Sequence, residues 1–192
     1  MSSWVPRTTA PSVGDPYYTS TQQTTYQPAL NPYPDVSAGG YVLPNCTGWA
    51  CGRMIEQGYG SYISPSNGFG HAVTWWNASV GFCDRGQIPQ VGAILVWSGG
   101  VYPYETNGHV AVVEAIDEAT RTLTVSNSAA SGGIYYPTYP SMDDPNYGMS
   151  SAYTFLGFIY PAGDTKPSWY YPVLFKRRKK QNGRSRIKRR SV

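Results

Sequence analysis

Charge is scarce in this chain. Asp, Glu, Lys and Arg together make up 14% of its 192 residues, against about a quarter in an ordinary soluble domain. Cysteine is scarcer still, at three. An odd count leaves one thiol unpaired in any monomer, which argues against a disulfide framework. No C-x-x-C occurs, and the only two histidines, His71 and His109, lie far apart in sequence. Nothing here has the spacing of a zinc site, so neither metal nor cofactor is expected. No apolar run is long enough to span a bilayer. The start, MSSWVPRTTAPSVG, lacks a basic stretch followed by an apolar one, so a Sec leader is not expected.

What the chain has in quantity is aromatic and turn-forming. There are 17 Tyr and 6 Trp, and 21 Gly with 16 Pro, so much of it is turn and loop. Apolar residues reach 41%, enough for a core. The length suits one domain with extensions. The charge is divided: residues 176–192 carry ten Lys or Arg and no acid, leaving five basic against eleven acidic residues before them. A mildly acidic body thus carries a strongly basic tail, and any argument for binding anionic polymers applies to the tail alone.

Three regions follow. Residues 1–40 are rich in Ser, Thr, Pro, Tyr and Gln, without apolar periodicity, and read as an extended arm or linker. Its aromatics, as in YYTSTQQTTYQPALNPYPD, suit docking on a partner or on the domain itself. Residues 41–162 hold the patterned segments, and residues 163–192 form a C-terminal extension with the basic tail. From Cys46 to Gln57 the positions of Trp49, Ala50, Met54 and Ile55 predict a helix, with Gly58 placed to end it. A second, shorter helix is expected from His71 to Val80. Strand-like runs follow at 93–97, 109–116, 122–126 and 152–160, with IDEATRT as a hairpin connection between two of them. Two helices followed by about four antiparallel strands is an α+β pattern.

The chemistry centres on one thiol. Cys46 stands in the first turn of the expected helix, where unpaired backbone N–H groups and the positive end of the macrodipole favour thiolate, the reactive form. Cys51 lies too far along the helix for either effect, and Cys83 adjoins Asp84, which opposes ionisation. A buried structural residue is the plain alternative for Cys46. A nucleophilic cysteine also needs a base oriented by a third polar group. His109 opens a strongly apolar strand after Gly108, a glycine that would let a substrate backbone approach. His71, at a helix start, is disfavoured as imidazolium. If 109–116 pairs with 122–126, Asn127 falls near the level of His109, where its side-chain carbonyl could accept the Nδ1–H. An edge histidine and a turn asparagine without chemical roles are the alternatives.

Four segments, in order, resemble the CHAP domain, a cysteine- and histidine-dependent amidohydrolase/peptidase family with a papain-like core. NCTGWACGR (45–53) resembles the nucleophile box, and GHAVTWWNAS (70–79) the Gly-Asn-Ala…Trp segment, with His71 where Asn is common. IPQVGAILVW (88–97) resembles the Pro-x-x-Gly-Ala strand, and NGHVAVVEAI (107–116) the strand that carries the base. The resemblance covers residues 41–160. It implies a papain-like fold with N-terminal helices packed on an antiparallel sheet of about four to six strands. It implies Cys46 as nucleophile, His109 as base and Asn127 as third member. Many relatives have Glu at this third position and often Asn two residues on; here the residues are Asn127 and Ala129.

The implied reaction is hydrolysis of an amide in bacterial peptidoglycan, by an N-acetylmuramoyl-L-alanine amidase or an endopeptidase. The Cys46 backbone N–H and the Asn45 side chain are the expected oxyanion donors, with a helix N-cap as the other role for Asn45. Trp49, Tyr102 and Tyr104 are candidates for substrate contact. The setting expected is a phage virion, as a tail-associated lysin opening the wall at entry. Residues 1–40 and the basic tail would attach to other tail proteins, and residues 176–192 could bind teichoic acid or nucleic acid. The alternatives are an endolysin released from the host cell, and a virion structural protein that keeps the fold with little or no activity.

Overall fold

The computed structural model describes residues 4–12, 43–59, 63, 67–100, 106–129 and 133–161. Two helices, α1 (Cys46–Glu56) and α2 (Ala72–Ala78), precede six strands: β1 (Arg85–Gly86), β2 (Ile94–Trp97), β3 (His109–Asp117), β4 (Thr122–Ala129), β5 (Gly133–Thr138) and β6 (Phe155–Ile159). The strands form one antiparallel sheet in the order β1-β6-β2-β3-β4-β5. The α+β class and the helices-on-sheet arrangement are therefore as the sequence implies. No helix among the described residues is long and apolar enough to cross a membrane.

Local chemistry sets the bounds of α1. The Asn45 side chain accepts from Gly48 N at 2.8 Å and caps the start. At the other end Gly58 takes φ +81°. The Tyr59 and Gly58 amides then donate to the carbonyls of Met54 and Ile55, the glycine-terminated closure expected where the backbone must turn left-handed. The inner face of α1 buries Trp49, Ala50, Cys51 and Met54 against Ile94, Val96, Val110 and Val112 of the sheet, with Trp75 of α2 joining them. Leu95, Trp97, Ala111, Val113, Leu123, Val125 and Phe158 point the other way. Met142, Tyr147, Met149 and Tyr153, from the stretch before β6, pack over that second face. Covered on both sides, β2 is apolar without alternation.

Two strands had no readable signal. β1 is two residues long. β5, GIYYPT, contains Pro137 and follows a Gly/Ser-rich stretch, so it reads as turn. It sits at the sheet edge, where a proline without an N–H is tolerated.

Gly108 turns out to serve the fold rather than a substrate. It has φ +75°, and a Cβ there would come within 2.6 Å of Trp97 O and 2.8 Å of Val73 N. The space beside it is filled by the first turn of α2, whose Val73 amide donates to Asn107 O at 2.8 Å. Gly108→Ala should therefore cost roughly 2 kcal/mol or more, through left-handed strain and backbone overlap. A thermal melt is expected to show the loss; an unchanged midpoint would mean that the turn adapts freely.

Residues 4–12, at the head of the stretch read as an arm, lie against the body. Arg53 of α1 and Glu114 of β3 are each 1% exposed. Arg53 Nη2 lies 2.8 Å from Glu114 Oε2, and Arg53 Nε donates to Glu114 Oε1 at 2.8 Å. The N-terminal segment completes this pair. Trp4 Nε1 and the Arg7 amide donate to Glu114 Oε2 at 3.0 and 3.1 Å. Val5 O accepts from Arg53 Nη2 at 2.8 Å, and the Arg53 guanidinium stacks over the Trp4 ring. Arg7 also pairs with Glu56.

Candidate active site

Cys46 is the first residue of α1, His109 the first of β3 and Asn127 lies near the end of β4. The sheet brings all three together. His109 Nε2 and Asn127 Oδ1 are 3.1 Å apart. Asn127 is held in that orientation, because its Nδ2 donates to Thr138 Oγ1 at 3.0 Å and to Val125 O at 3.3 Å. With the amide nitrogen so engaged, Oδ1 must accept, and His109 Nε2 carries the proton. This differs from the expected Nδ1 contact. Nδ1 is the nitrogen left for the thiol, which is hydrogen-bonded to His109.

Burial of Cys46 opposes its ionisation, yet the thiol is held below its ordinary range. Burial is the largest single effect, but the His109 hydrogen bond and charge and the backbone N–H groups of Val110 and Thr47 together outweigh it. Cys51, wholly inside the core, goes the other way: burial alone pushes its thiol far up. Cys83 is half-buried and its sulfur lies against Ser79 O. Cys46 thus has a histidine beside it and a shift toward thiolate, whereas Cys51 is shifted the other way.

The first turn of α1 disposes of its amides in an ordered way. Gly48 N donates to Asn45 Oδ1 and Trp49 N to Asn45 O, while Thr47 N points at the Cys46 sulfur. The Cys46 N–H makes no hydrogen bond to a described residue. Asn45 is the N-cap, and Thr47 Oγ1 also donates to its Oδ1 at 2.6 Å. Its Nδ2 makes no hydrogen bond to a described residue. The Asn45 amide donates to Ser128 Oγ at 3.0 Å, which fastens the head of the nucleophile helix to the strand that carries Asn127.

Trp49 is not a groove residue. It is fully buried, its indole N–H donates to Ser126 Oγ at 2.9 Å, and its ring lies tilted against Tyr135 at 5.4 Å. It lies on the core side of α1 together with Ala50 and Met54. Tyr102 and Tyr104 lie outside the described residues. His71 is the exposed N-cap residue of α2 and makes no side-chain cap. Trp97 tilts against the His109 ring at 5.7 Å and is buried. Three contributors had no sequence signal: Ser128 and Thr138, through the hydrogen bonds above, and Tyr136, directly opposite Asn127 on β5. No group of three His, Cys, Asp or Glu suited to a metal occurs among the described residues.

Residues 36–129 match the family model for the CHAP domain. The chain carries a CHAP domain. The match ends with β4, so β5 and β6, like the N-terminal segment on Glu114, lie outside it. Among solved structures, an N-acetylmuramoyl-L-alanine amidase from Staphylococcus aureus is similar at 21% identity, with a TM-score of 0.44. The similarity covers 67% of this chain and 33% of the amidase, so the chain corresponds to about a third of that protein's length.

Proposed function

We propose that this CHAP domain hydrolyses an amide bond of bacterial peptidoglycan, with Cys46 as nucleophile, His109 as base and acid, and Asn127 holding the histidine ring. The observation that carries the reading is the Cys46 thiol, drawn toward thiolate by a histidine whose other nitrogen is fixed by Asn127. The thiolate attacks the amide carbonyl carbon; a C–S bond forms and the π electrons move to oxygen. The Cys46 N–H and the Asn45 Nδ2, neither bonded to a described residue, are the groups that would hold that oxyanion. His109 Nδ1–H then protonates the nitrogen as the C–N bond breaks, releasing the amine and leaving a thioester. Water, losing its proton to Nδ1, cleaves the thioester to a carboxylic acid and restores the thiolate.

The biological setting we propose is a phage virion, as a tail-associated lysin. Residues 13–40 and the basic tail, 176–192, are the segments that would join other tail proteins or an anionic polymer such as teichoic acid or nucleic acid. Residues 4–12 are already committed to the domain.

Digestion of purified peptidoglycan from Gram-positive and Gram-negative species, followed by mass spectrometry, tests the reading. Wild type should release fragments that Cys46→Ala does not, and the new end group would separate amidase from endopeptidase. Intact wall after incubation with a folded, thiol-reactive protein would instead support a structural component or a peptidase of other substrates.

A further inference from the structure

β5 supplies a hydroxyl that makes no hydrogen bond to another described residue. Its side chains alternate, so neighbours in sequence face opposite ways. Tyr135 faces the α1 side, where its ring meets Trp49 and its hydroxyl donates to Arg7 O. Thr138 faces the other way and receives the Asn127 amide. Tyr136 shares the Thr138 face and pairs across the ladder with Asn127. Directly opposite residues place their Cβ atoms about 5 Å apart on one face of the sheet. The Tyr136 ring therefore stands beside the Asn127–His109 pair.

Three further observations bear on its role. Tyr136 is half-buried, so it is not sealed inside the core. Its hydroxyl makes no hydrogen bond to a described residue, unlike that of Tyr135. Burial, and then negative charge on Cys46, raise its pKa. The phenol thus stays protonated across the range in which the thiolate forms, and its O–H remains a donor. The pairing with Asn127 sets the ring on the side of the sheet where charge moves from sulfur to oxygen during attack.

Taking the thiol-hydrolase reading above as its basis, we propose that the Tyr136 O–H donates a hydrogen bond to the carbonyl oxygen under attack by Cys46, as an oxyanion donor alongside the Cys46 N–H. The donor opposite the helix terminus comes from an edge strand beyond the CHAP match. Acyl transfer, in which charge develops on that oxygen, would use it. Alkylation of the same sulfur, which forms no oxyanion, would not.

That contrast supplies a test independent of the wall substrate. In the full-length protein, p-nitrophenyl acetate should acylate Cys46, the sulfur taking the acetyl group as p-nitrophenolate leaves. Iodoacetamide should alkylate the same atom with loss of iodide. Both reactions are followed at Cys46 by mass spectrometry. Tyr136→Phe keeps the ring and removes the hydroxyl. It is expected to slow acylation by about 100-fold, the usual loss for one oxyanion donor, while alkylation stays near the wild-type rate. Equal slowing of both reactions would overturn the proposal in favour of packing around the thiol, and so would no slowing of acylation. A wild-type Cys46 that neither reagent labels would overturn it together with the thiol mechanism. A wild type that is acylated normally yet leaves every wall intact would refute only the peptidoglycan substrate.

Discussion

His109→Ala is expected to lower the rate of amide hydrolysis by about 1,000-fold or more, since it removes the base and the acid of one cycle together. It should also change the thiol itself in a direction that can be stated. In the wild type two opposed effects act on Cys46. Burial raises the pKa, and the His109 hydrogen bond and charge, with the Val110 and Thr47 amides, together lower it by more, so the net shift is downward. Without the histidine, only the Val110 and Thr47 amides are left against the burial. The pKa should then move back up. Iodoacetamide labelling of Cys46 against pH reads this directly: the wild-type half-maximum lies below the ordinary thiol range, and that of His109→Ala lies above the wild-type value. Asn127→Ala should fall between them, because the ring nitrogen survives but loses its orientation. Superimposable labelling profiles for wild type and His109→Ala would mean that the histidine does not govern the thiol.

Glu114→Gln is expected to lower the thermal midpoint by roughly 10 °C or more, the largest stability effect of any single change at a polar residue of this protein. The carboxylate lies at the meeting point of α1, β3, β4 and the N-terminal segment. Its Oε1 accepts from Arg53 Nε and from Ser126 Oγ, and its Oε2 from Arg53 Nη2, Trp4 Nε1 and the Arg7 amide. An amide turns one of these acceptors into a donor aimed at donors. It also leaves Arg53, itself buried, without the carboxylate that faces it, while Glu56 still offsets part of its charge. Breaking a buried ion pair from one side costs about 3–5 kcal/mol, because the partner charge stays desolvated. Glu118→Gln, on the exposed turn between β3 and β4, supplies the control and should leave the midpoint within about a degree. A Glu114→Gln protein that melts with wild type would show that water replaces the lost contacts.

The same geometry predicts what removing residues 1–12 does. The Trp4 and Arg7 donors and the Val5 acceptor disappear, while the Arg53–Glu114 pair remains. Each lost hydrogen bond to a charged group is worth about 1.5–3 kcal/mol at most, with water able to recover part of it. The truncated chain should therefore melt lower than wild type but higher than Glu114→Gln, and differential scanning calorimetry would order the three. The segment lies outside the CHAP match, so the domain that folds at full stability extends beyond the boundaries of its family.

The amino-acid sequence by itself determined the α+β class, the two helices, four of the strands and the identity of the pair Cys46 and His109 as neighbours to be. These are properties of local pattern. Apolar spacing marks α1, Asn45 and Gly58 mark its ends, and an unbroken apolar run marks β3. The nearness of Asn127 to His109 was legible as well, since adjacent antiparallel strands joined by a short hairpin fix their own register.

Tertiary structure alone decided the rest. Which ring nitrogen meets Asn127 is set by the contacts around the two side chains, which no pattern encodes. Trp49 could line a groove or fill a core at the same helical spacing, and the sheet beneath α1 chose the core. Gly108 invited a substrate until α2 filled the space. Thr138 and Tyr136 lie on a strand too rich in turn formers to be read, and they matter only because β5 pairs with β4. Trp4 and Glu114 are separated by 110 residues, and no local signal joins them. The physical reason is common to all of these. Periodicity and capping are set by neighbours a few residues away, whereas a hydrogen-bond partner, a buried charge or an occupied space is set by whichever segment the packed chain brings there.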